Sequence, residues 1–392
     1  MHPRIARLYG LSTLRELFSF YAQRKYNVSE MELGYFTMPL HPFGSPLSET
    51  LEEDMEQMVF LDEIGFREAW IGEHFTAGWE NIPAPDLFIA KAAALTKRII
   101  FGTGVSCLPQ HDPFMLAHRI AVLDHLLKGR FYWGVGAGSF IGDFEAFGIN
   151  PRTGEQRQLM NESLEMILNL WNDPSPGTYG NSRWSFKVPD PVEKVGLGVH
   201  TEPYQKPHPP IAVAGISENS ASLRTAGERN WIPMSINFVT RDVLKSHWVG
   251  YEQGADAAGR TAERGKWRIA RDVYVAETTE EARKEVIEGT LARDFRDYFF
   301  TLVPMIRDNL NLFKVDKSMS DQEVTMDYMI ENLWLVGSPE DVARKIIELH
   351  EFVGGFGVLL AMGHEWNPKE KWQKSMRLLK EEVIPLVKKN LR

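Results

Sequence analysis

Cysteine is almost missing: one residue, Cys107, among 392. That excludes an internal disulfide framework and a cysteine-based zinc site, and it suits a reducing, cytoplasmic setting. No apolar run approaches the roughly 20 residues that cross a bilayer. No dense Lys/Arg stripe is present and the net charge is −9, which argues against a phosphate-backbone partner; no nucleic acid and no membrane is expected. Short internal repeats and low-complexity tracts are also missing. What is there, 43% hydrophobic and 25% charged residues, is the composition of a folded globular chain. The length fits two or three average domains, or one (β/α) barrel with insertions.

Residues 1–30 stand apart. They carry Arg4, Arg7, Arg15, Arg24 and Lys25 with few acids, and they lack the apolar core of a secretory signal. A transit-like arm, a docking helix and translation from an upstream start codon all fit. The expectation is a peripheral extension without a catalytic part, followed by a folded unit over 31–392.

From Met31 onward, β-type runs alternate with helical periodicity. Strands are expected at Leu33–Met38, Glu68–Ile71, Ile99–Val105, Arg130–Gly134, Ile211–Val213, Ile232–Ile236, Arg268–Val275 and Gly357–Ala361. Between them, Leu47, Leu51, Met55, Met58, Val59 and Ile64 fall at helical spacing. Pro85, Asp112-Pro113 and Ser338-Pro339-Glu340 open further helices. Residues 172–210 are irregular and rich in Gly, Pro and Trp. Residues 287–331 break the alternation with aromatics, and they are expected to form a mobile lid; a pair of docked helices is the competing account. Eight strands alternating with helices predict one closed (β/α)8 TIM-type barrel with insertions; an open doubly wound sheet is the rival.

Chemistry is expected where the strands end. Glu68–Phe75, EAWIGEHF, finishes a compact strand on Gly72 and presents Glu73 and His74 at its carboxyl end, where parallel α/β enzymes collect their reactive groups. Thr103 lies between Gly102 and Gly104 at the third strand end. Gly134, Gly136 and Gly138 follow the fourth, but no helix with a ribose-binding acid comes next, so this is a poor dinucleotide fingerprint. Bare backbone of this kind would also admit a flat ring across the strand ends. Gly215, Ser217 and Ser220 precede a helix, and they read either as a phosphate cradle or as a plain cap. His41 and His111 sit on exit loops, His118 and His125 within a helix. Cys107 is expected to be a small buried side chain, and Trp79 and Trp366 could line an apolar pocket.

In order, the chain contains GYFTMPLHP (34–42), EIGFREAWIGEHF (63–75), RIIFGTGVSCLP (98–109), LDHLLKGRFYWGVGAG (123–138), AVAGIS (212–217) and LVGSPEDVARKI (335–346). This series resembles the bacterial-luciferase-like family of flavin-dependent monooxygenases over roughly 31–392, and within it the branch of the limonene monooxygenases. The resemblance implies a TIM-type barrel that binds reduced FMN, supplied by a separate flavin reductase, and uses oxygen to oxygenate a small molecule. His74 matches the family's active-site histidine. Gly104-Val105 matches a non-prolyl cis peptide beneath the flavin, with Thr103 beside it. Gly136 stands where luciferase has a reactive cysteine and Ala137 where it has a phosphate-binding arginine, which argues against luminescence and that phosphate contact. Gly215, Ser217 and Ser220 are the implied replacements, and Arg157 aligns with an arginine near the cofactor.

The expectation is therefore a two-component FMN-dependent monooxygenase acting on a small apolar or heteroaromatic compound, with a neutral His74 that bonds or takes up a proton. No metal is expected, and a homodimer is. A deazaflavin-dependent hydride-transfer oxidoreductase and a non-catalytic luciferase-like subunit are the alternatives.

Overall fold

The computed structural model describes residues 31–172 and 174–391. The extension expected over 1–30 lies outside the described residues. Eight parallel strands form the centre: β1 (Glu32–Thr37), β2 (Glu68–Ile71), β3 (Ile100–Thr103), β4 (Phe131–Gly136), β5 (Ile211–Gly215), β6 (Ile232–Ser235), β7 (Arg268–Arg271) and β8 (Val358–Met362). Each strand pairs with its neighbours in sequence. β1 joins β8 through Glu32↔Val358 to Phe36↔Met362, and β3 joins β4 through Phe101↔Phe131, so the ring is closed. The expected barrel is the observed one.

Among the described residues, the helices that wrap it include α1 (Leu47–Ile64), α2 (Pro85–Leu95), α3 (Pro113–Leu127), α4 (Glu155–Asn172), α5 (Ala221–Arg229), α6 (Arg241–Ala257), α7 (Thr279–Glu288), α8 (Pro339–Val353) and α9 (Lys369–Leu378). Local chemistry sets their ends. The Asp112 side chain accepts from the Met115 amide at the start of α3, and Ser338 does the same for Asp341 in α8. Gly65 closes α1 at φ 82°, in the left-handed region that glycine enters without penalty.

Two cores result. The larger fills the space between strands and helices. The smaller lies inside the barrel around fully buried Trp70, with Met234, Leu360 and Met362. Close packing explains two glycines: a Cβ at Gly102 would overlap the Trp70 ring, and one at Gly134 would run into the Thr103 carbonyl. The indole Nε1 donates to Glu68 (2.9 Å), whose carboxylate takes two 3.0 Å bonds from Arg268. A buried ion pair satisfied in this way closes the lower barrel.

Three expectations need correction. The third strand stops at Thr103 instead of Val105; the Gly104–Val105 peptide is cis, and Ser106–Cys107 then pairs separately with β4. The seventh strand is broken at Asp272, which turns inward to accept from Asn237 (2.9 Å), while Val273–Val275 moves on to pair with Leu335–Gly337. Within 172–210 the chain forms a hairpin, Gly177–Gly180 with Ser185–Val188.

The excursion at 287–331 is helical and docked: Thr290–Asp294, a π-helical turn Phe295–Phe299, Phe300–Arg307 and Met326–Asn332. Phe295, Phe299 and Phe313 are buried in the main core. Of the aromatics expected to close a lid, Phe295 and Phe299 are core residues and Tyr298 and Phe300 pack partly buried against them, which favours the docked-helix account.

Candidate active site

Ionisable side chains gather at the carboxyl ends of the strands. His74, two residues beyond β2's exit at Gly72, is set between two carboxylates. Its Nδ1 lies 3.2 Å from Asp143 Oδ2 and its Nε2 3.3 Å from Glu80 Oε2, with 11% of the side chain exposed. Asp143, in the short helix Ile141–Ala146, is fixed by the amides of Phe75 (3.1 Å) and Thr76 (2.8 Å) and the Thr76 hydroxyl (2.6 Å). Glu80 takes a 2.7 Å bond from Tyr298 of the excursion, whose ring stacks on Trp79 at 5.3 Å. Phe140 covers the imidazole at 5.0 Å.

Burial pushes the His74 pKa down, but the Glu80 charge and the Asp143 bond outweigh it and the net shift is upward. Burial raises Asp143 too, yet bonds from His74 and Thr76 hold it below the usual carboxylate range. Glu80 is held above it, chiefly by burial. The direction runs against the neutral His74 expected from sequence. Both ring nitrogens face acids, which favours the charged form.

Further clusters line the same rim. His111 Nε2 meets Glu73 at 2.5 Å, and His41 Nε2 meets Asp54 at 3.1 Å. Beyond β8, fully buried His364 bridges Asp294 (2.8 Å) and Asp272 (3.1 Å). His118 and His125 bond backbone carbonyls, and Cys107 is buried, as expected. Trp366 is buried against Phe60, so it packs in the core and does not line an open pocket.

The remaining residues expected from sequence fall into two groups, with Arg157 apart from both. Thr103, Gly104, Val105, Gly136 and Ala137 adjoin at the β3 and β4 exits, where the last three are half-buried. The Thr103 hydroxyl donates to the Gly134 carbonyl (2.8 Å), so it holds the two strand ends together. A Cβ at Gly136 would overlap Val105, so protein packing alone already requires that glycine. Gly215, Ser217 and Ser220 share the β5 exit. Ser217 is exposed, and its carbonyl accepts from His247 Nε2 (2.9 Å); Ser220 is buried, its hydroxyl 2.9 Å from that of Ser222. Burial lowers the His247 pKa to about 4, so this anchor of the β5–α5 turn is neutral. Arg157 is exposed on the first turn of α4.

Glu80, Asp143, Tyr298 and His247 were not selected from sequence. Asp143 lies 69 residues from His74, and no spacing rule connects them.

A cavity of about 670 Å³ lies at the opposite end of the barrel, lined by Met31, Arg67, Tyr132, Trp231 and Arg268. It holds none of the histidine clusters, so volume does not mark the active site here. At the strand-exit rim, both polar atoms of the Gln110 amide are buried without a partner, and Gly138 lies against it. An unmet donor and acceptor beside bare backbone fit a planar polar ring. The exposed Ser217, in the turn that leads into α5, fits a phosphate.

Comparison with known proteins places this architecture. Residues 31–354 match the family model of the luciferase-like monooxygenases, and the chain belongs to that family. It is 33% identical over 365 residues to 4-hydroxyprotoasukamycin monooxygenase of Streptomyces nodosus subsp. asukaensis, covering 91% of this chain and 92% of that one. It is 30% identical over 358 residues to limonene 1,2-monooxygenase of Rhodococcus erythropolis, covering 91% and 86%. Among solved structures, the oxygenating constituent of 3,6-diketocamphane monooxygenase of Pseudomonas putida, a type II Baeyer–Villiger enzyme in complex with FMN, matches with a TM-score of 0.84 and 33% identity, over 91% of this chain and 98% of that one.

Proposed function

We infer that the protein is an FMN-dependent monooxygenase that inserts one oxygen atom into a compact apolar substrate, a cyclic ketone or terpenoid. The observation that carries this is the near-complete structural match to an FMN-bound oxygenating constituent, together with the acid-clasped His74 at the strand-exit rim. When bound, reduced FMN supplies the electrons that activate oxygen. The chain's own residues do the rest. Gly104, Val105, Gly136 and Ala137, backed by Thr103, offer the surface for the ring. Gln110 offers an amide to its polar edge. Gly215, Ser217, Ser220 and the α5 amides take the phosphate, with Arg157 as a further cation. His74 exchanges a proton with the oxygenated substrate, and Phe140 and Trp79 keep water from it.

Relatives described as the oxygenase component or oxygenating constituent of their systems support a separate flavin reductase as partner. Among the described residues no helix is long and apolar enough to cross a membrane, and one buried free cysteine fits the cytoplasm. A homodimer is part of the proposal; light scattering that gives a 44.8 kDa particle would remove it.

The test is anaerobic titration of photoreduced FMN and riboflavin, followed by oxygen and a panel of ketones, terpenes and heteroaromatics. Oxygenated product with FMN is expected. Replacing Ser217 and Ser220 with alanine should weaken FMN by about 1–3 kcal/mol while sparing riboflavin. Preference for a deazaflavin, or flavin oxidation that yields only hydrogen peroxide with every substrate, would overturn the assignment.

A further inference from the structure

We propose that Glu80, anchored by Tyr298, is a positioning residue that holds His74 as an imidazolium, leaving its Nε2–H as the proton donor of the site. The inference rests on the monooxygenase reading for what the proton is used for, but not for the state of His74 itself.

Asp143 decides the first nitrogen. Three protein donors converge on Asp143 Oδ1, leaving Oδ2 as the acceptor facing His74 Nδ1 at 3.2 Å. Its carboxyl is held below its ordinary range, so Asp143 supplies no proton and Nδ1 must carry one. The second nitrogen then has two possible states. A bare Nε2 would set its lone pair against the Glu80 Oε2 lone pairs at 3.3 Å; an Nε2–H turns the same approach into attraction. Glu80 Oε2 has no hydrogen-bond partner, so its contact with Nε2 is charge to charge without a directed bond. The Nε2–H can therefore point to a third acceptor while the carboxylate beside it sustains the charge.

Tyr298 gives Glu80 its fixed place. Its hydroxyl donates to Oε1 at 2.7 Å, leaving Oε2 for the histidine, and Trp79 stacks on its ring. The other groups facing His74 are Glu73, which is engaged by His111, and the uncharged ring of Phe140. No cation among these opposes the imidazolium. In the reaction, Nε2 gives its proton to the anionic oxygen formed on the substrate. The ring becomes neutral beside Glu80, and that contact favours uptake of a proton from solvent.

The competing arrangement puts the proton on Glu80, with Oε2–H donating to a neutral His74. Ring-nitrogen NMR of ligand-free protein labelled with [15N]histidine, assigned by loss of signal in His74→Asn, separates the two. The proposal expects imidazolium shifts for His74 at pH 7.5. Glu80→Gln should lower its midpoint by about one to three pH units, and Tyr298→Phe should lower it by less. In turnover, the descending alkaline limb of kcat should move down in pH by the same amount, with KM little changed. A neutral His74 at pH 7.5 in the parent, or a midpoint unmoved in both variants, overturns the proposal. Tyr298→Phe keeps the test usable if Glu80→Gln does not fold. Failure of FMN turnover would leave the NMR result standing and count only against the assigned reaction.

Discussion

His364 shows how far two acids can move a buried imidazole. Burial opposes its charge, yet bonds and charge from Asp272 and Asp294 raise its pKa to about 9. The folded value lies above the ordinary value near 6.5, so the charged cluster stabilises the fold fully below pH 6.5. That contribution is lost as pH rises through about 9. The parent should lose on the order of 2–3 kcal/mol between these limits. Urea unfolding at pH 6, 7.5 and 9.5 checks this against His364→Gln, whose stability should vary less. Equal pH profiles would mean that His364 titrates at its ordinary value. Single residues were partly legible: GEH at a strand end marks His74 by itself. Its partners were not, because Glu80 lies in the loop beyond it, Asp143 in a short helix 69 residues on, and Tyr298, which holds Glu80, in the excursion.

Elements were easier to read wherever the signal is local. The bounds of α1, α2 and α3 follow from apolar spacing, from Pro at the first turn in α2 and α3, and from glycine just past the end of α1 and α3. Errors fell where distant contacts decide: β3 ends early at the cis peptide, and β7 ends early because Asp272 is drawn to Asn237 and His364. The excursion is the largest such case. Its aromatic content reads equally well as lid or as core, and the buried ring cluster of Phe295, Phe299 and Phe313 resolves it as core. Proteolysis of the ligand-free enzyme should accordingly spare 290–300. Rapid cleavage there, suppressed by reduced FMN and substrate, would restore the lid.

At the scale of the whole molecule, the barrel is organised around one side chain. Trp70 occupies the interior, Gly102 of β3 makes room for it, and Glu68 and Arg268 brace it from below. Trp70→Ala should cost about 3–5 kcal/mol, measured by chemical unfolding, and Trp70→Phe less. A loss under about 1 kcal/mol would show that the interior collapses around the gap. The closed topology itself was legible, since eight strand–helix alternations leave few other ways to bury every strand. What fills the barrel was not, because a tryptophan inside and one outside look alike in sequence.

The excursion serves two histidines at once. Tyr298 holds the acid beside His74, and Asp294, at the end of the first excursion helix, holds His364. A segment that sits over the rim of a barrel is the natural place for evolution to alter what the rim admits. In this chain, such a change would also reset two proton affinities. Selectivity and acid–base tuning are inherited as one cassette, and a chimera that takes 287–331 from a relative should arrive with that relative's pH profile.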